Sequence, residues 1–127
     1  MAKPKILAIN LSYNEIAEYS NSLAGSYRFH FARCIQDAMA VSAQFKPSVM
    51  VYEIGMPNDE TVDTFLALKS SISEKTPVIS IADENSLRVE QSVRMAGVFY
   101  YLVKPYATEE LSRILKAAVV YANQVVE

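Results

Sequence analysis

The side chains that most readily do chemistry are scarce in this chain. Cys34 and His30 are each the single residue of their type, which excludes a zinc set of Cys and His ligands, a clustered thiol-imidazole site and an internal disulfide. Cys34 reads as a small buried apolar residue, and His30 as a half-exposed, idle position on an edge strand. Ser12 has no base beside it and stands three residues before Glu15, the spacing of a helix capping box. What remains is polar residues at the ends of apolar runs: Asn10-Leu11-Ser12, Glu53-Ile54-Gly55, Ala82-Asp83-Glu84 and Lys104-Pro105. Carboxylates and a lysine at such places could hold a cation or pair with one another. Asp83 and Glu84 read more simply as a solvated helix entrance with a favourable dipole interaction.

Short apolar runs alternate with longer amphipathic ones along the whole chain, and these elements must position the tips. Lys5 to Leu11 is a buried-strand pattern, followed by a helix capped by Ser12 and Glu15 with Ile16, Tyr19 and Leu23 on one face. Tyr27, Phe29 and Phe31 alternate with Arg28, His30 and Ala32 as an edge strand, and Ile35 to Phe45 returns to helical spacing through Ile35, Ala38, Met39 and Ser42. Pro47 ends that helix, Val49 to Tyr52 reads as a central strand, and Pro57-Asn58-Asp59 breaks and caps before Val62, Phe65, Leu66 and Lys69. Val78 to Ala82 is a fourth strand, a helix runs from about Asn85 to Ala96, Gly97 ends it, and Val98 to Val103 is the last strand. Thr108 is expected to cap a final helix carrying Leu111, Ile114, Leu115, Ala118 and Ala122.

Five strand-helix units imply a parallel sheet with helices on both faces, because parallel neighbours require right-handed crossovers. The expected fold is α/β, a flavodoxin-like doubly wound sheet of order 2-1-3-4-5 in one domain over residues 1–127. The 127 residues are enough for a core without disulfide or metal staples. With 51% hydrophobic and 20% charged residues and a net charge of −2, the chain offers no general basic surface, so direct nucleic-acid binding is not expected. No apolar run approaches the ~20 residues that cross a bilayer, and Met1-Ala2-Lys3-Pro4 leads into no signal-peptide core, so a soluble cytosolic protein without membrane contact is expected.

Lys5 to Ile9, Pro47 to Pro57, Pro77-Val78-Ile79 and Ala96 to Pro105 together resemble a response-regulator receiver domain across essentially the whole chain. The resemblance implies a two-component phosphorelay, in which acids after the first strand and an aspartate after the third hold Mg²⁺ and that aspartate accepts phosphate from a histidine kinase. The chain departs from this pattern where the chemistry lies. Asn10 and Leu11 stand at the two acid positions, Glu53 at the phosphoacceptor, and Ala82 at the hydroxyl residue that senses phosphate. Ser80, two residues earlier, is not expected to substitute. Lys104 retains the family lysine, Pro105 follows it through a peptide the family suggests is cis, and Tyr101 matches the switching aromatic. One carboxylate and one amide make a poor Mg²⁺ cage, so neither a cofactor nor ordinary aspartyl phosphorylation is expected.

Glu53 can be read as a built-in mimic of the phosphorylated state paired with Lys104, although it carries one charge where phosphate carries nearly two. It can also be read as a carboxylate at a vestigial site. Tyr101 reads as core or rim packing, and a small Ala82 leaves room for it to sit inward. On the final helix Val119, Val120, Val125 and Val126 widen the apolar stripe beyond one buried face. The resemblance implies a homodimer through the fourth helix, fifth strand and fifth helix. The alternative is an amino-terminal module of a longer protein whose linker begins near Glu127. The leading expectation is an atypical receiver that is not an enzyme and acts by contact with its own copy, a histidine kinase or an output domain. Alternatives are a receiver still phosphorylated at Glu53 or another site, and a flavin or nucleotide-binding protein. The last would need a phosphate loop rich in Gly, Ser or Thr, which Leu11 to Glu15 does not supply.

Overall fold

The apolar runs become strands whose alternate residues face opposite layers of helix. The computed structural model describes residues 2–125. In chain order the elements are β1 (Lys5–Ile9), α1 (Tyr13–Ser22), β2 (Arg28–Ala32), α2 (Ile35–Phe45), β3 (Val49–Gly55), α3 (Asp59–Ser71), β4 (Val78–Ala82), α4 (Leu87–Met95), β5 (Tyr100–Val103) and α5 (Thr108–Val125). The strands pair in parallel in the order β2-β1-β3-β4-β5, the expected doubly wound sheet.

Ile6 and Ala8 of β1, Val49 and Val51 of β3, and Ile79 and Ile81 of β4 pack with Tyr19 of α1, with Leu23 just after that helix, and with Leu111, Leu115 and Ala118 of α5. The intervening residues Leu7, Ile9, Met50, Tyr52, Val78 and Ala82 face the other layer, where Ala38, Phe65, Leu68, Val89 and Val93 cover them. Both faces of the central strands are therefore dry, which explains their nearly unbroken apolar sequence. Winding reverses between β1 and β3, so the crevice at their carboxyl ends is where a doubly wound sheet builds its site.

Several element boundaries and packing positions differ from the sequence reading. Strand β1 stops at Ile9, because Asn10 adopts a left-handed φ of 68°. Helix α4 begins at Leu87, since the Ser86 side chain accepts from the Val89 N–H and leaves Asn85 outside the helix. On α3 the buried residues are Val62, Phe65 and Leu68, whereas Leu66 is exposed; the phase set by the Asn58 cap turns it outward. Thr108 is the first residue of α5 and does not cap it. Its Oγ1 instead donates to Glu18 Oε2 at 2.9 Å, tying α5 to α1. Cys34 is exposed, contrary to its reading as a buried residue, because it occupies the extended residue just before α2. Val119 packs partly on the core and Val120 is exposed. The side chain of Val125, Val126 and the expected linker start at Glu127 lie outside the described residues. Among the described residues no helix is long and apolar enough to cross a membrane.

Candidate functional site

The strand tips are locked to one another by backbone hydrogen bonds before any side chain contributes. Asn10 N–H donates to the Ala32 carbonyl, Asp83 N–H to that of Gly55, and Lys104 N–H to that of Ala82, all at 2.8 to 2.9 Å. Gly55 ends β3 with φ 80°, a conformation that favours glycine. The Lys104-Pro105 peptide is cis.

Around this frame three carboxylates converge on one ammonium. Lys104 Nζ lies 2.7 Å from Glu53 Oε1, 3.2 Å from Glu15 Oε1 and 3.3 Å from Asp83 Oδ1. Glu53 and Lys104, matched from separate tips, thus meet. Glu15 and Asp83 join them, and sequence reasoning had given these two other duties. Glu15 performs its capping role as well, accepting from the Ser12 N–H and Oγ through the same carboxylate. Its other oxygen, Oε2, accepts from the Tyr106 hydroxyl at 2.8 Å, and Tyr106 lies 2.7 Å from the Tyr19 hydroxyl. The tyrosine after Lys104-Pro105 and the third helical residue after a cap at the sheet's crevice are the sequence signals that could have found Glu15.

Crowding separates the two glutamates by charge state. Burial penalises the ionised Glu53, and a hydrogen bond shared with Glu15 and its negative charge add to this, so Glu53 is pushed up to about 7 despite Lys104. Burial also opposes ionisation of Glu15, but hydrogen bonds from Glu53, Tyr106 and the Ser12 backbone, together with the Lys104 charge, hold it at about 2. Burial disfavours charged Lys104, yet the two glutamates outweigh that and raise its pKa. Two carboxyls sharing a proton beside an ammonium resolve into one anion and one acid that titrates near neutrality. Glu53 Oε1 is inaccessible to solvent and, besides the ammonium contact, has no hydrogen-bond partner among the described residues.

The remaining matched positions do not join the cluster. Asn10 Nδ2 donates to the Glu53 carbonyl at 3.0 Å, so its amide braces the backbone. Leu11 packs against the core layer beneath α1 and α5. Ala82 is fully buried, and Tyr101 is 5% exposed in the same cluster as Ala82, Val89 and Val93. Its hydroxyl is buried and has no partner among the described residues. Ser80 is buried and its Oγ reaches only the Tyr100 carbonyl at 3.5 Å. His30 is half-buried beside the Phe45 ring, with centroids 5.5 Å apart.

Comparison with known proteins agrees with this architecture. The family model described as the response regulator receiver domain matches residues 13–116. Protein PilG of Pseudomonas aeruginosa is 33% identical over 84 residues, covering 65% of this chain and 62% of that protein, so the match spans less than two-thirds of the relative. A CheY-like receiver domain protein from Methanospirillum hungatei superposes with a TM-score of 0.82 at 15% identity, covering 97% of this chain and 98% of that one. The chemotaxis protein CheY4 of Vibrio cholerae gives 0.77 at 24% identity, covering 92% and 99%. Those two likenesses speak to the fold, while the family match together with the meeting of the strand-tip residues at Lys104 places this chain among the response-regulator receiver domains of two-component signalling.

Proposed function

We propose that this receiver acts as a protein interaction module whose output does not depend on phosphorylation, and that it is not an enzyme. The observation that carries the reading is the ion pair between Lys104 and Glu53, reinforced by Glu15. The lysine is already engaged by carboxylates of its own chain. The donor set fits Mg²⁺ poorly. The carboxylates surround an ammonium, Asn10 turns its N–H toward the Glu53 carbonyl, and Leu11 offers no ligand. Mg²⁺ asks for near-octahedral oxygens and dehydrates reluctantly. With Tyr101 already packed beside Ala82, there is no sensing hydroxyl at that position to carry a phosphoryl signal.

The partners this reading names are a histidine kinase, an output domain or a second copy of the chain. Leu87 and Met95 of α4, Tyr100 of β5, and Val120 and Tyr121 of α5 are exposed apolar residues that support a contact through that side, a homodimer included. The test is intact mass spectrometry after incubation with Mg²⁺ and acetyl phosphate, with Glu53→Ala alongside. The expected result is no phosphoryl adduct on either protein. An adduct on the wild type that disappears in Glu53→Ala would overturn the reading and restore a working phosphoacceptor.

A further inference from the structure

A second concavity lies on the other side of the β1 and β3 tips from the lysine cluster. It is a cleft of about 760 Å³ between α2 and α3, with Ile35, Tyr52 and Ala67 as apolar surface and Glu60 and Asp63 among its polar lining. Both carboxylates are exposed on α3, and neither makes an ion pair among the described residues. Their neighbours are neutralised: Asp59 by Arg88 at 2.6 Å, and Asp37 of α2 by Arg33 at 3.5 Å. Among the described residues no lysine or arginine lines the cleft.

Independently of those acids, the cleft is lined by a largely buried tyrosine whose hydroxyl opens onto it. Tyr52 is 95% buried and packs on Phe65 with ring centroids 6.0 Å apart, yet it lines the cleft, and its hydroxyl makes no hydrogen bond among the described residues. Two further lining groups present acceptors. Thr64 donates its hydroxyl proton to the Glu60 carbonyl at 3.0 Å, so toward any further partner its oxygen acts as an acceptor. Asn10 uses its Nδ2 on Glu53, leaving Oδ1 as an acceptor.

We infer that this cleft docks a basic segment of a protein partner, taking an arginine or lysine side chain with its alkyl stem against Ile35, Tyr52 and Ala67 and its charged head between Glu60 and Asp63. A long cationic side chain has this division of apolar stem and polar head, and a guanidinium supplies donors matched to carboxylates and hydroxyls. A phosphate or nucleotide would face the two carboxylates with no cationic side chain among the described lining residues to offset them. Cation binding by a metal is not supported, because Glu60 and Asp63 sit on one helix with no third acidic or imidazole ligand grouped with them among the described residues. The inference deepens the interaction reading by naming a face and a partner chemistry.

The test is an amide NMR titration of the full chain with acetyl-Arg-Leu-Arg-amide, with acetyl-Glu-Leu-Glu-amide as the control peptide. The expected result is saturable shifts at Tyr52, Thr64 and Ala67 with the basic peptide alone. Affinity should fall about tenfold in Glu60→Gln/Asp63→Asn and stay unchanged in Glu110→Gln on α5. Tyr52→Phe, which keeps the ring, should weaken binding about threefold. Shifts that ignore the double substitution, or no saturable shifts at all, would overturn the inference. Either failure is separate from that of phosphate independence, which rests on the mass measurement at Glu53.

Discussion

Glu15 Oε1 lies 3.2 Å from Lys104 Nζ, so a residue one turn into α1 shares the ammonium that Glu53 engages from the tip of β3. The charge balance of the site is therefore set from a helix as well as from the strand ends. Substituting Glu15→Gln should keep most of the helix cap, since glutamine serves at that position of a capping box, while removing the negative charge beside Glu53. The Glu53 carboxyl midpoint should fall from about 7 toward the ordinary 4.5. Carbon-detected NMR titration of the side-chain carboxyl reads this directly, and a midpoint that stays near 7 would show that burial alone sets it.

The frame of the site was legible in sequence where proline or strong periodicity punctuated it. Helix α2 over Ile35–Phe45 and strand β4 over Val78–Ala82 have the boundaries expected, because Pro47 and Pro77 stand just outside them. The meeting of Glu53 with Lys104 was legible too, since both follow apolar strands whose ends converge. Glu15 was not, because the capping box already accounted for its carboxylate and a linear pattern does not show that one carboxylate can serve both a cap and an ion pair. Asp83 was missed for a related reason. Its place at a helix entrance suggested solvent, and only the β4–β5 pairing brings Lys104 within 3.3 Å. Cys34 and Leu66 were misplaced because exposure at a helix start or along a helix depends on phase, which a cap shifts by a fraction of a turn.

Stability should depend on pH through Glu53 in a direction opposite to that of an ordinary ion-paired carboxylate. Its folded pKa is raised to about 7 from 4.5. As pH climbs between those values the unfolded chain releases the proton while the folded chain retains it, so stability falls and then levels off above about 7. Glu15, lowered to about 2, acts the other way, adding stability as pH rises from about 2 to 4.5. Relative to Glu53→Gln, which cannot titrate, the wild type should lose about 1 kcal/mol between pH 4.5 and 7.5 after allowance for partial solvent screening. Urea unfolding of both proteins at several pH values isolates the difference, and parallel curves would contradict it.

Tyr101 offers a sharper test of packing. Its ring is buried with Ala82, Val89 and Val93, and its buried hydroxyl has no partner among the described residues. An unsatisfied buried hydroxyl costs free energy, so Tyr101→Phe should stabilise the domain by about 1 kcal/mol, with an unchanged denaturant slope. A loss of similar size would instead reveal a partner for the hydroxyl in solution, and with it an orientation of Tyr101 other than the inward one.

The tyrosine pair beneath the cluster fixes the direction of its hydrogen bonds. Tyr106 has one hydroxyl proton and donates it to Glu15 Oε2 at 2.8 Å, so across the 2.7 Å contact Tyr19 must be the donor and Tyr106 the acceptor. Burial raises the pKa of both phenols, which keeps them protonated in these roles. Tyr106→Phe removes a bond to a charged group and strands the Tyr19 proton in a buried position, for a loss of about 2 kcal/mol. Tyr19→Phe removes only the outer bond and should cost less. Because Tyr106 acts on the site through Glu15, the losses from Tyr106→Phe and Glu15→Gln should overlap: the double variant should be more stable than the sum of the single effects predicts by at least ~0.5 kcal/mol. A double-mutant cycle by chemical denaturation measures this coupling, and strict additivity would show that the phenol and the carboxylate act independently.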